Sequence, residues 1–138
     1  MAKHILYNAQ VIVNGVDLSD HVESVDYSEG QNRQNAAAMG DIQDYDMPGT
    51  IKIGDVKLNF YQDYASSKVY QTFNPLVVNR TTFNLQIKAD SGANATTNPQ
   101  FTLPVFVVDF QVFNGTRGNR HMSSVTLAPA GAQTIATS

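Results

Sequence analysis

Apolar and polar residues alternate along several stretches of the chain. Val56, Leu58 and Phe60 alternate with Asp55, Lys57 and Asn59, and Phe83, Leu85, Ile87 and Ala89 share one face of residues 81–89. A period of two marks a strand with one buried face. Residues 9–13 (AQVIV) read as another strand, and Asn14-Gly15 is a strong hairpin-turn signal. Val16, Asp17 and Leu18 then resume the strand. Residues 22–28 alternate loosely. An amphipathic helix through Leu18, Val22 and Val25 is the alternative, but Val25 and Tyr27 favour a strand. Ile51 and Ile53 belong to a strand starting at Thr50, and the phase shift at Gly54-Asp55 predicts a bulge or tight turn. Residues 101–113 (FTLPVFVVDFQVF) form a long apolar strand, with Pro104 placing its start at an edge or bend. Residues 121–127 supply the closing strand.

Elsewhere the period changes or disappears. Ala65, Val69, Phe73 and Leu76 step by four, four and three, which predicts a helix over residues 62–74 with Asp63 near its start and Pro75 as its stop. Residues 29–50 show no sustained period and predict a long loop. Met39, Ile42, Tyr45 and Met47 are out of place on a solvated loop. They fit either a loop packed on its own domain or one that folds onto a neighbouring subunit. Residues 90–99 and 114–119 are loop and turn by composition. Residues 128–138 (APAGAQTIATS) predict a mobile tail from about residue 130. The sum is a mainly β chain, a β-sandwich or barrel with one flanking α-helix, in a single domain over residues 1–138.

Charge then changes the picture. Charged residues make up only 15% of the 138, against about 25% in a typical domain, and Asn, Gln, Ser, Thr and Ala fill the gap. Such a surface suits a protein covered largely by copies of itself, although composition alone favours an ordinary β-rich domain. Residues 1–60 carry nine acids and four bases, net −5; residues 61–138 carry three acids and five bases, net +2. The weakly acidic total argues against generic nucleic-acid binding, which needs a basic footprint. Five acids, Asp17, Asp20, Glu23, Asp26 and Glu29, recur at every third position with no base among residues 14–30. In a ring of copies each acid becomes a circle of like charge, and around a channel that circle would repel a polyanion from the wall.

Candidate chemistry is sparse. There is no Cys, so disulfides and thiolate metal sites are excluded. The three His (His4, His21 and His121) lack metal-ligand spacing, and Asp20 and His21, as strand neighbours, would point to opposite faces. Glycine-rich phosphate loops and nucleophile elbows do not occur. No signal peptide or membrane-spanning run is evident, so the Asn-x-Thr triplets at Asn79, Asn94 and Asn114 read as chance matches. The expectation is a non-enzyme without cofactor or metal, and without a membrane partner.

Three stretches carry a resemblance. They are "VIVNGVDLSDHVESVDYSEG", "AMGDIQDYDMPGTIKIGDVKLNFYQDYASSKVYQTFNPLV" and "TTNPQFTLPVFVVDFQVFNGTRGNRHMSSVTLAPAG". In this order, over about residues 8–131, the chain resembles the major tail tube proteins of long-tailed, non-contractile bacteriophages. The resemblance implies a virion structural protein with the sandwich-like fold shared with contractile-tail and type VI secretion tubes. It implies hexameric rings, joined through their sheets and stacked into a passive conduit for DNA ejection. Asp17, Asp20, Glu23 and Asp26 become candidates for an acidic lumen. The loop that would reach the next ring corresponds to residues 29–50, with Arg33, Met39, Ile42, Tyr45 and Met47 as candidates. Implied partners are copies of itself, other tail proteins (tape measure, tail terminator, distal tail) and DNA in transit. The implied location is the virion tail, after synthesis in the host cytoplasm. The alternatives are a tail-completion or type VI-like tube protein, or a monomeric β-sandwich binding module.

Overall fold

Strand β1 (Gln10–Val13) turns into β2 (Val16–Asp17) through Asn14 and Gly15, whose φ values of 49° and 82° are both positive. That is the backbone of a type I′ hairpin turn, and Asn-Gly is the pair that tolerates it. The computed structural model describes residues 9–137; His4 and the first eight residues lie outside it, as does Ser138. The remaining elements are β3 (Val22–Asp26), β4 (Glu29–Asn35), β5 (Asp46–Ile53), β6 (Val56–Tyr61), α1 (Val69–Val78), β7 (Phe83–Lys88), β8 (Gln100–Phe110), β9 (Met122–Pro129) and β10 (Thr134–Ala136). The fold is mainly β and sandwich-like.

The main sheet runs β2-β1-β7-β8-β9-β6-β3, with β10 also on β8. The long β8 stands at the middle of this order and joins its two halves. Its first half pairs with β7 and β10, and its second half with β9. A bulge between Val107 and Asp109 lets the strand bend from one layer into the other. The ends of the sheet, β1–β2 and β3, curl to face each other across a groove of about 120 Å³ lined by Val11, Ser19, Val22 and Val25. Inside lie Val11, Val13, Leu18, Val56, Leu58, Phe60, Leu85, Leu103, Val105, Val125 and Leu127, all essentially inaccessible. The period-two residues of β6 and β7 thus face the core as the pattern predicts, though Ile87 is only partly covered.

Several expectations need correction. The helix begins at Val69 and includes Pro75. Val69, Phe73 and Leu76 do bury their side chains, but Ala65 lies outside the helix and is exposed. Pro75 and Gln71, whose carbonyl loses its partner, both sit on the solvent face, where water replaces the missing hydrogen bond. The helix stops instead in a Schellman turn. Arg80 (φ 53°) donates its N–H to Val77 O at 3.3 Å, and Thr81 donates to Leu76 O at 3.2 Å.

Residues 29–50 are a loop only over residues 36–45. Strands β4 and β5 form a separate two-stranded ribbon whose residues are exposed except at Ile53. A ribbon wet on both faces has no inside, so it leaves no alternation to read. The C-terminal tail is also ordered in part, with β10 pairing to β8 from Thr134 opposite Thr102 to Ala136 opposite Gln100. Strand β8 itself ends at Phe110, three residues short of the apolar run that suggested it. Pro104 lies within it, just past the end of the β10 pairing.

Candidate assembly surface

The acidic stripe is spread over an edge strand, a turn and a second edge strand. Asp17 closes β2 and accepts the Ser19 N–H at 2.9 Å and its hydroxyl. The Ser19 hydroxyl oxygen in turn accepts the Val11 N–H at 2.9 Å, which ties the turn back to β1. Asp20 and His21 stand in this turn, not on a strand, so their side chains meet. His21 Nδ1 lies 2.9 Å from Asp20 Oδ1, and Nε2 lies 2.9 Å from Asp63 Oδ2. Lys68 Nζ reaches Asp20 at 3.2 Å. Glu23 on β3 pairs with Arg120 at 3.8 Å, and that guanidinium also stacks over Tyr61.

These contacts set the protonation of the cluster. A carboxylate on each ring nitrogen requires an N–H on both, which favours imidazolium. The Asp20 hydrogen bond, and then that of Asp63, hold His21 above its usual value. Asp20 is held below the usual carboxylate range, first by His21. Asp63 is lowered first by the Ala65 N–H and then by His21. The two carboxylates lie on opposite sides of the ring, so they do not converge on one point as metal ligands would. Among the described residues, no cluster of His and carboxylates could hold a metal ion. Sequence spacing could not reveal these partners, because Asp63, Lys68 and Arg120 lie far from the stripe along the chain.

The ribbon β4–β5 forms an arm. Asn32 faces both Gly49 and Thr50 across a bulge and donates to the Thr50 hydroxyl at 2.8 Å. A Cβ at Gly49 would stand 2.8 Å from the Asn32 carbonyl oxygen, so only glycine fits. Of the candidates in this segment, Arg33 and Met47 lie on the ribbon, with Arg33 3.7 Å from Asp46. Met39, Ile42 and Tyr45 lie at its tip, where Met39 and Ile42 are fully exposed and Tyr45 is exposed to 53%. The arm root is tied to the C-terminal segment. The Tyr27 hydroxyl bonds to Gln133, whose amide donates to Glu29 at 3.1 Å.

A second exposed apolar group lies after β8. Val112 and Phe113 continue its apolar run but leave the sheet, and Phe113 is 74% exposed. The Val112 carbonyl accepts from Gln62 Nε2 at 2.8 Å and from the Tyr64 hydroxyl at 2.9 Å. The Phe113 ring packs 4.7 Å from His121, which is 5.5 Å from Tyr64. The sequence signal was present, in apolar residues too many for the strand, but it read as more strand.

Comparison with known proteins gives the fold a class. No family model and no curated protein matches the sequence. Solved structures do match. A chain in the tail of an empty gene transfer agent particle with C6 symmetry aligns with a TM-score of 0.66 at 8% identity, covering 84% of this chain and 82% of that one. A chain of the sheath/tube terminator of an extracellular contractile injection system aligns with a TM-score of 0.71 at 13% identity, covering 99% and 98%. Hcp1 from Flavobacterium johnsoniae aligns with a TM-score of 0.61 at 14% identity, covering 96% and 97%. The chain therefore has the fold that tail, tube and Hcp chains share.

Proposed function

We propose that this protein is the tube subunit of a non-contractile phage tail, assembling into hexameric rings that stack as a passive conduit for DNA. The observation that carries the reading is agreement of fold, over 84% of this chain and 82% of the other, with a chain from a tail of C6 symmetry. The chain's own surface supports it. The sheet ends in open edges at β2 and β3, and open edges are a hazard unless another copy covers them. Closed rings satisfy every edge at once. The low charge and the projecting arm suit a chain that spends its life between copies of itself.

In this reading Asp17, Asp20, Glu23 and Asp26 line the channel, and the arm joins one ring to the next. The protein makes and breaks no bond; its work is shape and charge. Partners are further copies and the proteins that start, measure and cap the tube, in the virion tail. The similarity to Hcp1 also favours a second reading, a tube component of type VI or tail-completion kind. Negative-stain electron microscopy of the purified chain, over a concentration series, tests the proposal. Hollow tubes or six-fold rings support it; monomers at every concentration count against both readings and favour a solitary binding module.

A further inference from the structure

We propose that the arm tip of one copy docks on the 112–121 turn of a second copy, making a tip-to-base contact between successive subunits. The inference rests on the tube reading and supplies the receptor for the arm. The two surfaces lie at opposite ends of the sandwich. Strand β3 runs from Val22, opposite Phe60, to Asp26, opposite Lys57. The arm begins at Glu29 and returns at Ile53, beside the Val56 end of β6. The 112–121 turn leads into Met122, opposite Tyr61 at the other end of β6. Val56 and Tyr61 are five strand steps apart, about 17 Å.

Each surface lacks what the other offers. The tip, residues 36–45, carries Met39, Ile42 and Tyr45 with two acids, Asp41 and Asp44, and no base. The receptor carries Val112 and Phe113 beside Tyr64 and His121, with Arg117 and Arg120 and no acid within residues 111–121. Glu23 is already engaged with Arg120, while Arg117 has no ion pair among the described residues. Opposite charges set around two apolar patches give a contact both favourable and directional. A two-stranded ribbon is marginal alone in water, so docking would also stabilise the arm. Because the patches differ and lie at opposite ends, the contact is heterologous and propagates without closing on itself.

The chain has no native Cys, so introduced thiols report this contact cleanly. Ile42→Cys and Phe113→Cys chains are mixed under assembling conditions and treated with a short bismaleimide. The expected product is a covalent dimer from the mixture, none from either variant alone, and a ladder from the double variant. Arg117→Asp in the Phe113→Cys chain lowers the dimer yield several-fold, and adding Asp44→Arg to the Ile42→Cys chain restores it. Tubes that form without the cross-link overturn the docking and leave the tube reading intact. So does a cross-link from Ile42→Cys to Val77→Cys, in place of Phe113→Cys; Val77 lines a second groove, between α1 and β8, with Leu76, Phe106 and Val107. A chain that stays monomeric and uncross-linked at every concentration overturns both.

Discussion

Replacing Phe73 by alanine tests how the helix is held. Its side chain is fully buried, with the Phe60 and Phe110 rings at 5.5 and 5.4 Å. Truncation removes the transfer term for a buried ring, leaves a cavity and breaks both ring contacts. Such changes cost about 3–5 kcal/mol. Unfolding entropy near the midpoint is about 2.1 cal/mol/K per residue, or about 0.29 kcal/mol/K over 138 residues. A loss of about 4 kcal/mol then lowers Tm by about 14 °C. The assay is thermal unfolding by circular dichroism at a concentration where sedimentation shows monomers, because assembly would raise Tm by mass action. Val78→Ala is the control, since Val78 lies on the same helix but is 68% exposed, and it should shift stability by no more than about 0.5 kcal/mol. A loss below about 1 kcal/mol for Phe73→Ala, or equal losses for the two variants, would refute the seating of the helix described above.

Stability should also fall as pH rises from about 6.5. His21 has its folded pKa raised above 6.5, so its contribution is complete below 6.5 and is lost as pH passes the raised value. His21→Gln should flatten that decline in urea titrations at pH 6 to 9, and an unchanged decline would show that other groups cause it. Asp20 and Asp63 act in the opposite sense, contributing above 3.8 and losing that contribution as pH falls through their lowered values. Arg80→Gly should stabilise the chain by about 0.5–1 kcal/mol, because a left-handed C′ position costs a residue with a side chain more than it costs glycine; a lower urea midpoint would contradict this. Gly49→Ala should speed hydrogen exchange at the amides of residues 29–53, while global stability moves by less than about 0.5 kcal/mol; unchanged protection of the arm would mean that the bulge absorbs the methyl group.

What the sequence disclosed follows from where each residue faces. Strands β6 and β7 have one wet side and one dry side, so their alternation could be read directly. Asn14-Gly15 needed only local backbone rules. The helix register was legible through Val69, Phe73 and Leu76, but its limits were not. Pro75 is tolerated because its missing hydrogen bond faces water, and the stop at Arg80 is made by a residue that carries no stop signal. The arm left no period because it has no buried face. Its Met39, Ile42, Tyr45 and Met47 were the sign that a polar segment was more than a solvated loop. The ion-pair partners of the stripe depend on a fold that brings residues 63, 68 and 120 beside residues 20–23, and no local pattern encodes that.

Those partners divide the acidic stripe by role, and the division can be tested residue by residue. Asp17 organises the β2–β3 turn through Ser19, Asp20 belongs to the His21 cluster, and Glu23 holds Arg120. Asp26 alone of the four proposed channel acids has no hydrogen bond or ion pair from its side chain among the described residues; Lys57, opposite it on β6, stays beyond ion-pair distance. A charge in direct contact with a partner is largely offset by it, whereas a charge without such a contact projects more of its field into the space it faces. In a hexameric channel, repulsion of DNA would therefore rest most heavily on the ring of Asp26. Asp17→Ala should cost about 1 kcal/mol of stability through its lost hydrogen bonds and alter DNA passage little. Asp26→Lys should leave stability within about 0.5 kcal/mol, allow tubes to form and slow DNA release from particles built with them. Normal ejection through Asp26→Lys tubes, measured beside Asp17→Ala tubes, would remove Asp26 from the channel wall and leave the stripe with a structural role only.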